Sequence, residues 1–319
     1  MLTATTLPQL GKMLNDLAEE ASVVGLQLHF GKTKIISNMQ ARRGASEAKH
    51  VTVLGQDVEV LPFADSVTYL GREVSFKDHQ DLELQNRIAK AWGKFMAHKH
   101  ELCGPHYPLR DRLRLFGATI TSSVLYGCGT WAMTAERERK LRTTQRKMLR
   151  RMVGSKRRKT ATTDRADAED TGMQIDKDGT AGSTSSVASS MSTSSSSDEE
   201  EGDEEQAEDR ESWTEWIRRA TTLAADAARK AGVVDWVEEE RRRKWRWAGH
   251  VARREDGRRS RRLLDWEPLG GRRSWGRPVI RWEDTLCQFA KTKGETWTTA
   301  AKDKNKWGSW EDDFVAVRW

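Results

Sequence analysis

Leu109-Arg110-Asp111-Arg112-Leu113-Arg114-Leu115-Phe116, continued by Ile120 and Val124, returns an apolar side chain every three or four residues. That spacing predicts an amphipathic helix. The same period extends outward in both directions. Leu84, Ile88, Ala91 and Phe95 mark a helix over roughly 79–101. Leu141, Met148, Leu149 and Met152 mark another, with Thr134 placed to cap its start and Gly154 to close it. Its opposite face is basic, carrying Arg139, Arg142, Arg146 and Arg150.

Upstream the pattern changes. Leu7, Leu10, Met13, Leu14, Leu17, Ala21 and Val24 predict a helix over 8–24, with Gly25 as its stop. Leu26, Leu28 and Phe30 then alternate as a half-buried strand would. Ile35-Ile36 resumes extended structure, 51–54 and 58–61 flank Gly55-Gln56-Asp57 as a hairpin, and Val67-Thr68-Tyr69-Leu70-Gly71 is a short strand ending in a turn. Downstream, Trp213–Ala231, Trp236–Arg253, Trp282–Phe289 and Trp297–Val317 read as helical, with Gly270-Gly271, Gly276 and Pro278 breaking the middle into loop. The expected fold class is α+β and mainly α.

The 319 residues carry a formal +7, but the charge is divided. Residues 1–160 hold 27 basic and 15 acidic side chains, residues 161–212 hold 3 and 16, and residues 213–319 hold 25 and 17. Two basic modules therefore flank an acidic one. Thr180 to Ser197 is almost wholly Ser, Thr, Gly and Ala, and Asp198–Asp209 is a block of carboxylates. Such a segment has too little apolar area to offset its ordering entropy, so 161–212 is expected to be a disordered linker. Ser194, Ser195, Ser196 and Ser197 precede the acids in the pattern an acidophilic kinase favours. No apolar run approaches the roughly 18 residues of a membrane span, and the amino terminus has no secretory pattern. Three scattered cysteines, Cys103, Cys128 and Cys287, cannot make a disulfide framework. A nuclear or cytoplasmic protein is expected, neither secreted nor membrane-bound, and the basic runs at 156–159 and 241–244 fit nuclear localisation signals.

Gly25-Leu26-Gln27-Leu28-His29-Phe30-Gly31-Lys32-Thr33-Lys34 resembles the segment that follows the catalytic strand in reverse transcriptases of non-LTR (LINE-type) retrotransposons. His29 stands where that family usually has Asn. Val67–Gly71 resembles its primer-grip turn, and Val124-Leu125-Tyr126-Gly127 with Trp131 resembles its thumb helix. Trp247-Ala248-Gly249-His250-Val251-Ala252-Arg253 and Gly276-Arg277-Pro278-Val279-Ile280-Arg281-Trp282-Glu283-Asp284 resemble signatures near the carboxyl ends of such polyproteins. Five elements in family order imply four parts. These are a palm remnant with a primer-grip-like hairpin (1–78), a helical thumb-like region (79–160), the acidic linker (161–212) and an Arg/Trp-rich helical carboxyl-terminal domain (213–319).

The resemblance implies RNA-directed DNA synthesis in the parent enzyme, using two Mg²⁺ ions held by an aromatic-Ala-Asp-Asp turn and an upstream aspartate. That turn is absent from this sequence. Asp312-Asp313 lies near the far terminus, and Phe63-Ala64-Asp65-Ser66 has one aspartate in the wrong place. The chain by itself is therefore expected to have no catalytic residues or cofactor, and to need the missing amino-terminal part of the polymerase. By resemblance, Lys32 is a candidate general acid, and Tyr69, Leu70 and Gly71 would position a primer.

RNA and DNA are the expected partners. Candidate backbone contacts are Arg139, Arg142, Arg146, Arg150, Lys156, Arg157, Arg158 and Lys159 in the first basic module. In the second they are Arg241, Arg242, Arg243, Lys244, Arg246, Arg277 and Arg281. Guanidinium forks match phosphate geometry, and indoles interleaved with them offer stacking faces. A repurposed nucleic-acid-binding or scaffold protein regulated by its acidic insert, and a non-functional relic, are the alternatives. No metal site is expected: Cys103-x-x-His106 has ligand-like spacing, but no second pair completes four ligands.

Overall fold

The computed structural model describes residues 1–38, 50–158, 210–257, 260 and 280–317. Residues 161–209 of the expected linker, with the serines at 194–197, and also Lys159 and Arg277, lie outside the described residues, whereas Glu211 and Ser212 at its end are held by Arg157, Arg219 and the cap of the helix that begins at Trp213. The fold is α+β and mainly α.

Helix α1 (Leu7–Val23) is capped by Thr6, whose side chain accepts from the Gln9 backbone N–H, and Pro8 sits in its first turn. Gly25, at φ 76°, turns the chain out of the helix, as its placement in the sequence predicts. Residues 26–29 are not the expected strand. A short 3₁₀ turn follows at Phe30–Lys32. Alternating apolar residues make a strand only where a neighbour accepts their backbone hydrogen bonds, and Leu26 faces solvent. Strands β1 (Ile35–Ile36), β2 (His50–Val53) and β3 (Gln56–Leu61) form one small sheet in the order β1-β3-β2. β1 runs parallel to β3, and β2 antiparallel to it. Leu14, Ile35, Val53 and Val58 close a small core between this sheet and α1. The hairpin turns on two residues, Leu54-Gly55, rather than on Gly55-Gln56-Asp57, because Val53 pairs directly with Gln56.

A second hairpin pairs β4 (Ser66–Tyr69) with β5 (Arg72–Ser75) and leads into the helical body. Helix α2 (His79–Ala97) is followed by α3 (Lys99–Cys103) and α4 (Leu109–Phe116). The helix expected to continue to Val124 does so through a π turn at Gly117–Thr121 before α5 (Ser122–Val124). Here Thr119 and Ser122 hydroxyls donate to the carbonyls of Leu115 and Ala118, four residues back, a competition that loosens regular α pitch. Helix α6 (Ala135–Val153) has the predicted cap, Thr134, and the predicted terminator, Gly154 in the left-handed region.

Helices α7 (Trp213–Lys230) and α8 (Trp236–Ala252) follow. The last segment, read as one helix over 297–317, is broken into α10 (Trp297–Ala300), α11 (Lys304–Ser309) and α12 (Glu311–Ala316), after α9 (Asp284–Thr292). Side-chain caps at Thr296 and Asp303 start α10 and α11.

Packing divides within α8 rather than at 213. Ala224, Ala228, Trp236 and Val237 join Leu84, Phe95, Phe116, Leu141 and Met148 in one core. Trp236 stacks on Phe116 at 5.8 Å, and its indole N–H donates to Thr121 Oγ1 at 2.9 Å. From Trp245 onward, α8 belongs to a second core with Leu286, Phe289, Trp297, Trp307 and Phe314. Trp245 and Trp307 stack at 3.5 Å with rings parallel within 2°. Each indole N–H donates to the other residue's carbonyl, at 2.9 and 3.0 Å. One buried ion pair ties the two halves: Glu138 of α6 accepts from Arg241 of α8 at 2.6 Å. The Arg241 guanidinium also caps the carbonyls of Val315 and Val317.

Candidate nucleic-acid interface

The tip of the β4–β5 hairpin is built against its own sterics. Tyr69 pairs with Arg72, leaving Leu70 and Gly71 as a two-residue turn with φ of 49° and 77°. Both central residues at positive φ define the type I′ geometry that matches strand twist. Glycine takes that region freely, whereas leucine there costs about 1–2 kcal/mol. The surrounding structure holds the turn in place. The Leu70 carbonyl accepts from Tyr126 Oη at 3.1 Å, and the Gly71 carbonyl accepts from Lys90 Nζ at 3.2 Å and from Arg87. The Arg87 guanidinium lies 4.6 Å from the centre of the Tyr126 ring.

Beneath them Glu83 is fully buried. It accepts from Arg87 Nε at 2.9 Å, from Arg72 Nε at 3.3 Å and from the Glu73 backbone N–H at 2.7 Å. Arg72 reaches on to Thr130 Oγ1 at 2.7 Å. The turn thus projects as a fixed feature, with Leu70 73% and Tyr69 46% exposed. Sequence reasoning selected Tyr69, Leu70 and Gly71 but missed the residues that hold them. The i, i+4 pair Glu83/Arg87 beside an apolar stripe was the available signal.

The four candidate arginines of α6 lie on one face, two exposed and two half-buried. Arg139 and Arg146 are exposed, Arg142 lies 3.5 Å from Glu138, and Arg150 donates to Thr221 Oγ1 of α7 at 3.0 Å. Burial, and secondarily the charge of Arg146, make Arg150 a weaker base than an ordinary arginine. At the helix exit Lys156, Arg157 and Arg158 are exposed. Arg157 holds the Glu211 carbonyl at 2.6 Å. The Glu211 carboxyl is drawn down to about 2, chiefly by the Arg219 hydrogen bond and by the Arg158 backbone N–H.

In the second basic run, expected to contact a nucleic-acid backbone, most cations are taken up by the protein itself. Arg241 and Lys244 are buried, 4% and 2% exposed. Arg241 is engaged by Glu138, and Lys244 donates weakly to the Trp131 carbonyl at 3.4 Å. Arg242 pairs with Glu311 at 3.2 Å, Arg243 with Glu239 at 2.7 Å and Arg246 with Glu311 at 2.7 Å. A run of cations in sequence is wound around a helix, so several of its charges turn inward and need acids there. Glu240 is also inside, with both carboxylate oxygens unpartnered among the described residues. Burial pushes its carboxyl up to about 8 and the Lys244 ammonium down.

Lys32 is exposed on the 3₁₀ turn after α1, and Arg281 is exposed just before α9. Asp312 and Asp313 on α12 pair with Arg242 and Lys293. Among the described residues no group of three or more His, Cys, Asp or Glu side chains is placed to hold a metal ion. None of the described helices is long and apolar enough to cross a membrane.

Comparison with known proteins yields one informative similarity. The chain is 26% identical over 302 residues to an uncharacterized transposon-derived protein of Caenorhabditis elegans, covering 93% of this chain and 86% of that protein. No family profile matches it, and no solved structure matches it significantly. A similarity that runs through both basic modules points to a transposable-element origin.

Proposed function

We propose that this chain is a thumb-bearing, carboxyl-terminal portion of a non-LTR retrotransposon reverse transcriptase, or a protein derived from one. It binds RNA or DNA backbone and does not polymerise by itself. The observation that carries the binding is the α6 face, where exposed Arg139 and Arg146 stand in line with Arg142 and Arg150. Guanidinium forks along one helix face can each hold a backbone phosphate. The transposon-derived relative and the rigid Tyr69–Arg72 turn support the same reading. Polymerisation would need the aromatic-Ala-Asp-Asp turn and its Mg²⁺ from another part of the enzyme, and Lys32 would act as a general acid only beside them.

The test is binding of labelled RNA and DNA as a function of salt. A steep log–log fall is expected, and R139A/R146A should reduce the slope by about two. Weak, salt-insensitive binding would overturn the proposal. Primer extension with Mg²⁺ should yield no product from this chain alone, and synthesis would refute the non-catalytic part of the reading.

A further inference from the structure

α8 buries Trp236 and Trp245 completely, yet leaves Trp247 39% exposed. Trp247 shares one face of the helix with Arg243 and His250, spaced four and three residues apart, and Arg254, just past the helix end, lies back against them. The Arg254 guanidinium lies 5.9 Å from the centre of the Trp247 ring and within 3.0 Å of His250 Nε2, and the His250 ring centre lies 5.9 Å from the indole.

This stripe faces the loop between α5 and α6. The stem of Trp247 and the Arg243 carbonyl flank Gly129, Arg243 donates to the Leu125 carbonyl at 3.2 Å, and Trp282 donates to the Gly129 carbonyl at 2.7 Å. On its other side the same loop is held by Arg72 through Thr130, and it begins with Tyr126, half exposed, bonded to the Leu70 carbonyl. One loop thus links a strip of exposed aromatic or apolar side chains, with Tyr69, Leu70 and Tyr126 on one flank and Trp247 on the other. Lys90 borders the strip at one end and Arg254 at the other.

We infer that this strip is a binding path for single-stranded nucleic acid, with an unpaired base stacked on Trp247. The Trp247 stem packs on the loop, but part of its ring stays open to solvent on a helix that buries its other indoles. An exposed ring beside a guanidinium offers a base both a π face and a cation for its phosphate, without regard to sequence. The cation placed against the indole is Arg254, whose guanidinium lies 5.9 Å from the ring centre and is also bonded to His250 and Ser260. The inference rests on the nucleic-acid reading above and adds to it a stacking site that α6 does not supply.

The experiment compares an oligothymidylate with an abasic strand of the same length and charge, for the parent chain, W247A and W247F. The oligothymidylate should bind the parent about five-fold or more tighter than the abasic strand. That ratio should fall to near one in W247A and persist largely in W247F, while affinity for the abasic strand stays unchanged in all three. Equal, salt-sensitive binding of both strands by the parent would overturn the stacking site and leave phosphate binding standing. A base-dependent ratio that survives in W247A would place the stacking elsewhere and overturn this assignment. Failure of both strands to bind would overturn the nucleic-acid reading, and this inference with it. Thermal unfolding of W247A at the parent temperature is the check that the exposed ring is not structural.

Discussion

Gly249 lies mid-helix in α8, where glycine is the poorer helix former by about 1 kcal/mol relative to alanine. On helical propensity alone, G249A should stabilise the protein. The tertiary structure reverses that sign. A Cβ at this position would stand 2.4 Å from Trp307 Nε1, 2.6 Å from its Cδ1 and 2.9 Å from Arg253 Nη1. Ordinary contact is near 3.5 Å, so the indole must retreat by about 1 Å. It is poorly placed to do so, because it stacks on Trp245 at 3.5 Å and its N–H donates to the Trp245 carbonyl at 3.0 Å. Overpacking of this kind costs about 1–3 kcal/mol, and weakening the stack adds about 0.5–1.5 kcal/mol. Against the helical gain, the net expectation is a loss of about 2 kcal/mol. Urea unfolding followed by near-ultraviolet circular dichroism is the assay, and a midpoint lower by about 1 M is expected for a slope in the usual range. G93A on α2 is the matched control: nothing lies within 4 Å of a Cβ there, so it should be neutral or gain up to about 1 kcal/mol. If G249A proves as stable as the parent while G93A behaves as expected, the close approach of α8 to Trp307 is refuted.

Three further outcomes are expected. E138A should destabilise the chain by about 3–5 kcal/mol in urea titration, because it leaves the Arg241 guanidinium buried without its acid; a loss under 1 kcal/mol would mean that the pair does not tie the two cores. Glu240 is raised above its unfolded value by burial among Lys244, Glu138 and Arg241, so the folded state holds an extra proton and stability should fall as pH rises from about 4.5 toward about 8. E240Q should flatten that fall when urea unfolding is compared at the two ends of the window, and an unchanged slope would remove Glu240 as its source. Cys128 is buried, with its thiol pushed up to about 12, whereas Cys287 is exposed; maleimide labelling of the native chain followed by peptide mapping should modify Cys287 first and leave Cys128 intact until unfolding.

Sequence periodicity determined the helices of the helical body because each has a continuous apolar stripe and local end signals. Thr134 and Gly154 cap α6 where their residue types predict, and Gly25 ends α1. The same local reasoning failed at Leu26–Phe30, where alternation existed but no neighbouring strand came to pair with it. The Tyr69–Gly71 turn was legible as a turn. The ring of Glu83, Arg87, Lys90 and Tyr126 that holds it was not, because those residues are brought from α2 and from the chain just after α5 by packing.

The basic runs show the division most clearly. Net charge by segment follows from the sequence alone, and it marks two basic modules around an acidic one. Which of those cations face solvent was decided by helical phase and by the acids that packing delivers. On α6, Arg139 and Arg146 point outward. On α8, Arg241 is drawn inward by Glu138 from 103 residues away, and Lys244 is buried beneath Trp282. One turn on, Trp247 is left in solvent while Trp245 two residues earlier is enclosed. Sequence spacing fixes the angle between two side chains on a helix, but only the arrival of a partner element determines which of those angles becomes the inside.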